Sequence, residues 1–281
     1  MKKYVLYDAI IDINKTLPLV TSTKELFKFL NLNIPVLKGS IRDLGCNSLS
    51  VDPIGFYEAN AKNLALASKE YSHIVCVEDS SFLSLNLTLE KLKKDEKLRN
   101  DLETTLAKEN LELDLDIKIV NLADYLLQVR GKSKIQKKVI NSFEKFIATL
   151  YLGSYQCQIN KYSNTNTYSD ILNAISLKLA KYDLKNQVSG YDIYDLNEEL
   201  SLKMSGTIML DMFDNAADFV VVNDARSFVM FDDLQKDLEK SVGREIGLTV
   251  FGLAEVLLLA FGVSDKEKIG LNDHKIKTSL I

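Results

Sequence analysis

The chain has few of the residues from which disulfide frameworks and zinc sites are built. Its 281 residues include three cysteines and two histidines. Cys46, Cys76 and Cys157 are far apart and odd in number, which argues against a disulfide framework and for a reducing, cytoplasmic environment. The histidines, His73 and His274, are not near Cys46 in the sequence, so a zinc array or a Cys-His nucleophile has little support.

Several common binding motifs are also absent. The sequence has no G-x-G-x-x-G after a strand and no G-x-x-x-x-G-K-[ST], so the usual glycine loops for nucleotides are not indicated. It has no G-x-S-x-G motif, which argues against a serine hydrolase of that type. These absences leave no standard catalytic or nucleotide-binding motif on which to build a function.

Long apolar runs and a strong charge of one sign are missing too. The most apolar stretch, residues 247–263, is shorter than a membrane span and has Glu255 at its middle, so no membrane span is expected. The amino terminus, MKKYVLYDAIIDI, is predicted to be a first strand and not a signal peptide. The net charge of −4 makes a nucleic-acid partner unexpected.

The most informative feature present is an internal repeat. Residues 73–82 read HIVCVEDSSF, and residues 219–228 read FVVVNDARSF. Residues 116–129, DIKIVNLADYLLQV, similarly match residues 247–260, GLTVFGLAEVLLLA. In both copies an apolar run ends in an acid and is followed by Ser-Phe. Two matches in the same order predict an internally duplicated chain.

Apolar strand-like runs alternate with helix-like segments through both copies. This alternation predicts an α/β protein of two tandem Rossmann-like domains with mostly parallel sheets, residues 1–135 and 136–281. The predicted helices include residues 22–30 and a long helical region over residues 81–110. They also include residues 170–181, capped by Ser169, and residues 228–241.

One basic cluster, RGKSKIQKK at residues 130–138, lies at the predicted boundary between the domains. An exposed linker is the simpler interpretation. A docking patch for an acidic partner is the alternative.

The spacing of these segments resembles a known family. The helix AKNLALASKEY, the following strand and turn, F-L-S-L-N-L, a charged helix and a closing LADYLL are similar to the cysteine-rich Cys-Cys-Gly domain. That domain occurs in tandem in the B subunit of heterodisulfide reductase and in related subunits of succinate, lactate and glycolate oxidoreductases. The carboxyl-terminal stretch LTVFGLAEVLLLAFGVSDKEKIGLNDH also resembles the end of that subunit.

The resemblance implies an iron–sulfur site in each domain, formed by a lone cysteine, a Cys-Cys pair and a C-x-x-C. At these places the first domain has Asp8 or Ala9, the pair Cys46-Asn47, and Glu78 with Ser81. The second domain has Ser154, a pair position somewhere in residues 190–192 without cysteine, and Asp224 with Ser227. Because a cluster needs several converging thiolates, no iron–sulfur cluster or other cofactor is expected.

The residues at the former cluster positions allow two interpretations. An acid and a serine at a strand end can hold a hard cation such as Mg²⁺. The same residues also cap helices, which accounts for Glu78, Asp79, Asp224 and Ser227 without a ligand. Cys46 is interpreted as a residue left over from an ancestral site.

Two functions therefore remain open. The first is a cluster-free relative of the heterodisulfide reductase B subunit, with a structural or regulatory role and a protein partner in a redox complex. The alternative is a small-ligand- or metal-binding protein, or an oxidoreductase, that uses the vacated clefts. The candidate residues are Cys46, Asn47, Glu78, Ser81, Ser154, Asp224 and Ser227.

Overall fold

The computed structural model describes residues 2–153, 155–164 and 166–278, with only the backbone at Cys157. Within these ranges, short apolar strands alternate with helices and form two separate sheets whose neighbouring strands are all parallel. This arrangement confirms the predicted α/β fold with parallel sheets. No helix of the described residues is both long enough and apolar enough to cross a membrane.

The first sheet lies in the amino-terminal half, residues 1–135. Its strands are β1 (Tyr4–Tyr7), β2 (His73–Cys76) and β3 (Lys118–Asn121), in the order β1-β2-β3. Val36 forms a single parallel bridge to Leu6 on the other side of β1. The helices of this half are α1 (Ile13–Phe29), α2 (Ser48–Val51), α3 (Pro53–Ser68), α4 (Asp79–Lys94), α5 (Glu96–Ala107), α6 (Leu122–Val129) and α7 (Lys132–Gln136).

The second sheet lies in the carboxyl-terminal half, residues 136–281. Its strands are β4 (Ile147–Tyr151), β5 (Lys178–Leu179), β6 (Phe219–Val222) and β7 (Thr249–Phe251), in the order β5-β4-β6-β7. The helices are α8 (Gln156–Ile159), α9 (Asn166–Ala174), α10 (Glu198–Asp214), α11 (Ala225–Phe228), α12 (Gln235–Val242) and α13 (Leu253–Ala260), with a π-helical turn at Val229–Asp233.

The two sheets have the same order when the Val36 bridge is counted beside β1. A duplicated unit requires this equivalence, and internal duplication remains a prediction. The predicted boundary between residues 135 and 136 lies inside α7, which packs against α9. The basic cluster is therefore not only a linker: Ile135 is buried, and Lys132 pairs with Asp170 at 3.1 Å.

Each half covers part of the other. Helix α1, which follows β1, packs against α13 at the end of the chain, and α9, which follows β4, packs against α6. The larger hydrophobic core contains buried residues from both halves, among them Leu19 and Phe27 beside Leu257 and Phe261. The halves consequently meet through an apolar core and not only through surface contacts.

Several predicted helices have different limits in the structure. The region 81–110 is two helices, because Asp95 leaves helical geometry and its carboxylate caps α5 through the Leu98 N–H at 3.0 Å. The helix predicted at residues 170–181 is α9, which ends at Ala174, so Ser169 lies inside it and does not cap it. Helix α1 begins at Ile13, well before the predicted start at residue 22.

Candidate functional site

The carboxyl ends of β2 and β6, the two strands of the repeated motif, meet at the junction between the halves. The Asp79 N–H donates to the Asn223 carbonyl at 2.9 Å. In return, Asn223 Nδ2 donates to the carbonyl of Val77 at 3.3 Å. Val77 and Asn223 occupy the same position in the two copies of the motif, so equivalent points of the copies touch.

Glu78 is the acid of the first copy, and its carboxylate is fully occupied by backbone donors. It begins α4 with an extended backbone and accepts from the Ser80 N–H at 2.8 Å and the Ser81 N–H at 2.5 Å. A third donor is the Ala225 N–H of the other half, at 3.2 Å. Burial, together with the nearby charges of Asp224 and Asp43, raises the pKa of Glu78 to about 7.

Asp224, the acid of the second copy, has a matching role. It begins α11, and its carboxylate accepts from the Ser227 N–H at 2.9 Å and from the Ser227 hydroxyl. Burial raises its pKa, while the Ser227 hydrogen bonds oppose the change. The cap interpretation of Glu78 and Asp224 therefore agrees with the observed contacts, and Ser81 and Ser227 each supply a capped N–H.

Arg226 extends from the second half to a loop of the first half. Its buried guanidinium forms an ion pair with Asp192, donates to the Tyr155 hydroxyl at 3.0 Å and reaches the Leu44 carbonyl at 3.4 Å. It also lies directly against Gly45, where an added Cβ would fall 1.4 Å from Nη2. Burial alone would lower the pKa of Arg226, but Tyr155 and Asp192 outweigh burial and raise it.

Tyr155 connects the loops of the two halves. Its hydroxyl lies 2.7 Å from Asn47 Oδ1 and 3.0 Å from Asp192 Oδ2. Asn47 is the second member of the predicted pair position in the first half. Asp192 lies in the corresponding loop of the second half, so one tyrosine contacts both loops.

The loops of the two halves have a similar backbone at one glycine. Gly45 and Gly190 both have positive φ, at 78° and 82°. Cys46-Asn47 follows the first glycine, and Tyr191-Asp192 follows the second. A left-handed residue that favours glycine thus marks both loops.

Cys46 is buried and has weak partners. Its sulfur lies 3.8 Å from the Ser80 carbonyl and 3.5 Å from the Ser84 hydroxyl. Burial, followed by the charge of Asp43, raises the pKa of the thiol to about 12. Burial thus favours the protonated thiol of Cys46 over the thiolate.

The donor set does not fit an iron–sulfur cluster. Cys76 is the second thiol whose side chain is described, and burial raises its pKa well above the usual value. Glu78 and Asp224, at C-x-x-C positions, are engaged as helix caps. Among the described residues, no three His, Cys, Asp or Glu side chains are grouped to hold a metal ion. The predicted position at Ser154 lies outside the described residues.

Sequence reasoning missed several members of this junction, namely Asp43, Tyr155 and Arg226, whereas Asp192 lies in the range 190–192 that it named. Arg226 lies in the repeated motif itself, in the segment Asp224-Ala225-Arg226-Ser227. A charged residue in the first turn after an apolar strand was a signal that could have been noticed. Tyr155 and Asp43 offered no such signal, because their partners are distant in the sequence.

A separate cavity of about 340 Å³ lies near the carboxyl ends of β4 and β5. It is lined by apolar Leu150, Leu152 and Leu179 together with the lysines Lys181 and Lys185. Among the described residues, none of the predicted site residues lines it.

Comparisons with known proteins support the predicted resemblance. Residues 191–275 match the family model described as HdrB-like C-terminal domain, which supports the resemblance to a heterodisulfide reductase B-like family. The chain is also 24% identical over 232 residues to the 8-methylmenaquinol:fumarate reductase membrane anchor subunit of Wolinella succinogenes, and the match covers 80% of each protein. The similarity is thus to a subunit of a redox enzyme.

A solved structure has the same fold. It is the crystal structure of a hypothetical protein from Helicobacter pylori, with a TM-score of 0.84 and 21% identity. The match covers 100% of this chain and 53% of that one, so the chain spans about half the length of the solved protein.

Proposed function

We propose that the protein is a subunit of a redox-enzyme assembly that binds no iron–sulfur cluster and has a structural or regulatory role, with a protein partner in the reducing cytoplasm. The observation that carries this proposal is the hydrogen bonding of the Glu78 carboxylate. It stands at a position where the resemblance implies a cysteine ligand, and it accepts three backbone hydrogen bonds. Withdrawing it to bind a ligand would leave buried N–H groups without partners.

The remaining cysteine chemistry points the same way. Cluster assembly needs several thiolates at one point. Cys46 is the one thiol at a former ligand position, so these positions do not supply the several thiolates that a cluster needs. Electron transfer through a resident cluster is therefore not part of the proposed role.

The junction supports a structural role instead. Glu78, Arg226 and Tyr155 each contact the opposite half through a hydrogen bond. Together with the shared apolar core, these contacts hold the halves in one arrangement. We attribute the similar plan of the halves to an ancestral duplication, after which both former cluster sites changed to capping residues.

Metal analysis of anaerobically purified protein tests the cluster-free state. Iron and acid-labile sulfide should stay far below one atom per chain, including after attempted reconstitution with ferrous iron and sulfide. Stoichiometric iron and sulfide with a cluster absorption band would overturn the proposal. In a second arm, tagged protein expressed in its native host should copurify with subunits of a redox enzyme.

The alternative is a small-ligand-binding protein, and the cavity at Lys181 and Lys185 is the observation that favours it. Its ligand would lie beside the former cluster positions and not in them. A thermal-shift series with phosphate, dicarboxylates and Mg²⁺ separates the two roles, because a ligand that binds only the native state raises Tm. A rise that Lys181→Ala abolishes would support the alternative.

A further inference from the structure

Two apolar side chains are exposed far more than their type normally is. Val51 is 87% exposed and Leu196 is 85% exposed. Each immediately precedes the residue that caps a long helix, Asp52 for α3 and Asn197 for α10. We call Val51 and Leu196 the apolar tips. Because both side chains are exposed, they contribute little to the hydrophobic core.

The tips occupy the same place in two loops of the same construction. Each loop starts at a glycine with positive φ, Gly45 or Gly190, and continues through the pair position and a short helical turn to the tip. The tip is six residues after the glycine in both loops. An exposed apolar side chain thus occurs at the same place in both halves and is not an isolated surface residue.

Both tips lie close to one junction. Asn47 and Asp192 share the hydroxyl of Tyr155, and each comes four residues before the tip of its loop. Four residues of fully extended chain reach at most about 14 Å, so neither tip can be far from the Tyr155 contact. Interfaces of about 800 Å² per partner are wide enough to include both.

The apolar surface continues into the helices behind the tips. Ile54, in the first turn of α3, and Leu200, in the first turn of α10, are also exposed. Each tip thus has a second apolar side chain nearby, and the two pairs can supply the apolar centre of an interface.

The sequence segments that carry the tips are mainly acidic. Residues 42–58 and 191–200 contain one exposed base, Arg42. Their exposed acids that form no ion pair among the described residues are Asp52, Glu58, Asp195, Glu198 and Glu199. An acidic rim repels anionic lipid headgroups and attracts a surface rich in lysine and arginine.

We propose that the apolar tips form one docking surface for a protein whose contact face is apolar at its centre and rimmed by lysine or arginine. This inference rests on the proposed function, because it names the surface through which the chain joins a redox assembly. The apolar centre supplies most of the affinity, and the charged rim sets the orientation and the association rate.

Site-specific photo-crosslinking in the native host identifies the occupant. A photoreactive phenylalanine derivative is placed at position 51 or 196, with position 140 as the matched control, because Ile140 is 75% exposed and lies outside both loops. The same redox-enzyme subunit should crosslink at 51 and 196 and not at 140. Equal crosslinking at all three positions, or adducts between two copies of this chain, would overturn the proposal.

The purified partner then measures the contribution of each tip. Val51→Asp and Leu196→Asp should each weaken binding about tenfold or more, while Ile140→Asp stays within about twofold of the wild type. Raising the salt from about 50 to 300 mM should slow association with the wild type, since screening weakens the rim. All three variants should keep the wild-type melting temperature, because the side chains are exposed.

Two outcomes separate this inference from the function on which it rests. If a redox-enzyme subunit copurifies but the Asp variants bind it as the wild type does, the surface is wrong and the proposed function stands. If no redox-enzyme subunit copurifies at all, the proposed function itself fails. Binding to phosphatidylcholine–phosphatidylglycerol vesicles that Val51→Asp abolishes would overturn protein docking in favour of a membrane surface.

Discussion

The backbone N–H of Ala225 donates a hydrogen bond of 3.2 Å to the carboxylate of Glu78, across 147 residues of sequence. Glu78 is thereby both the cap of its own helix, α4, and a contact to the first turn of α11 in the other half. The two copies of the repeated motif thus meet at Glu78, one of the positions where the resemblance implies a cluster ligand. A helix-capping contact thus takes part in holding the halves together.

The raised pKa of Glu78 predicts that the stability of the protein depends on pH. Its pKa is about 7 in the folded protein, against a usual 4.5, so the folded state binds its proton more tightly than the unfolded state does. The free energy of unfolding should therefore fall as the pH rises from about 4.5 to about 7, by on the order of a few kcal/mol. Urea unfolding between pH 4.5 and 8 measures this slope.

Glu78→Gln removes this titration. The unfolding free energy of the variant should therefore change less with pH, even if the substitution lowers it at every pH. Asp224 and Asp43 also have raised pKa values because of burial, so part of the slope should remain. The exposed Glu199→Gln is the control and should leave the slope unchanged. An unaltered slope in Glu78→Gln would contradict the assignment.

Arg226→Ala should be strongly destabilising. The change removes a buried cation and leaves Asp192 and Tyr155 without its contact. We expect a loss of about 2 to 4 kcal/mol, less than for a fully buried pair because Asp192 is partly exposed. Arg244→Ala is the matched control: Arg244 pairs with Asp214 at an exposed site, and its loss should cost at most about 1 kcal/mol. Chemical denaturation compares them.

Gly45→Ala tests the close approach of Arg226. The added Cβ would lie 1.4 Å from Nη2, so the guanidinium must leave its site. Gly39 has a similar φ of 73° but nothing within 4 Å of an added Cβ. Gly39→Ala should therefore cost only the left-handed strain, about 1 kcal/mol, and Gly45→Ala clearly more. Equal losses of unfolding free energy would show that the Arg226 contact contributes nothing.

His274 should be a main determinant of how the carboxyl-terminal segment attaches. Its ring is buried between Glu255, 2.7 Å from Nε2, and Asp232, 3.2 Å from Nδ1. Burial opposes protonation, but Glu255 and Asp232 outweigh it and raise the pKa of His274 to about 10. Loss of the cation leaves two buried carboxylates, so His274→Ala should cost about 3 to 5 kcal/mol.

The same ion pairs predict a second pH window. The stabilisation is complete below the usual histidine pKa of 6.5 and should disappear as the pH rises towards 10, because the folded state holds the proton more tightly. Unfolding free energies between pH 6 and 10 should fall in the wild type and change less in His274→Ala. His73→Ala, at a half-buried strand end, is the control and should follow the wild type. Identical profiles would refute the interpretation.

Some features were readable from the sequence because they depend on local patterns. The apolar runs at residues 73–77 and 219–223 predicted parallel strands, and the observed strands are His73–Cys76 and Phe219–Val222. Glu78 and Asp224 were foreseen as caps because an acid before a helix has N–H donors close by in the chain. The small number of cysteines likewise predicted, from composition alone, that no cluster is bound, and this stays a prediction.

Other features depend on contacts that local patterns do not encode. The long-range partners of Arg226, the Tyr155 contact to both loops and the buried His274 site join residues far apart in the chain. The packing of α1 against α13 and of α9 against α6 also joins residues far apart in the chain. Sequence determined which residues could form strands and caps, since those depend on neighbouring residues. Only the tertiary structure decided how the two halves meet, because that arrangement is set by packing and by the pairing of buried charges.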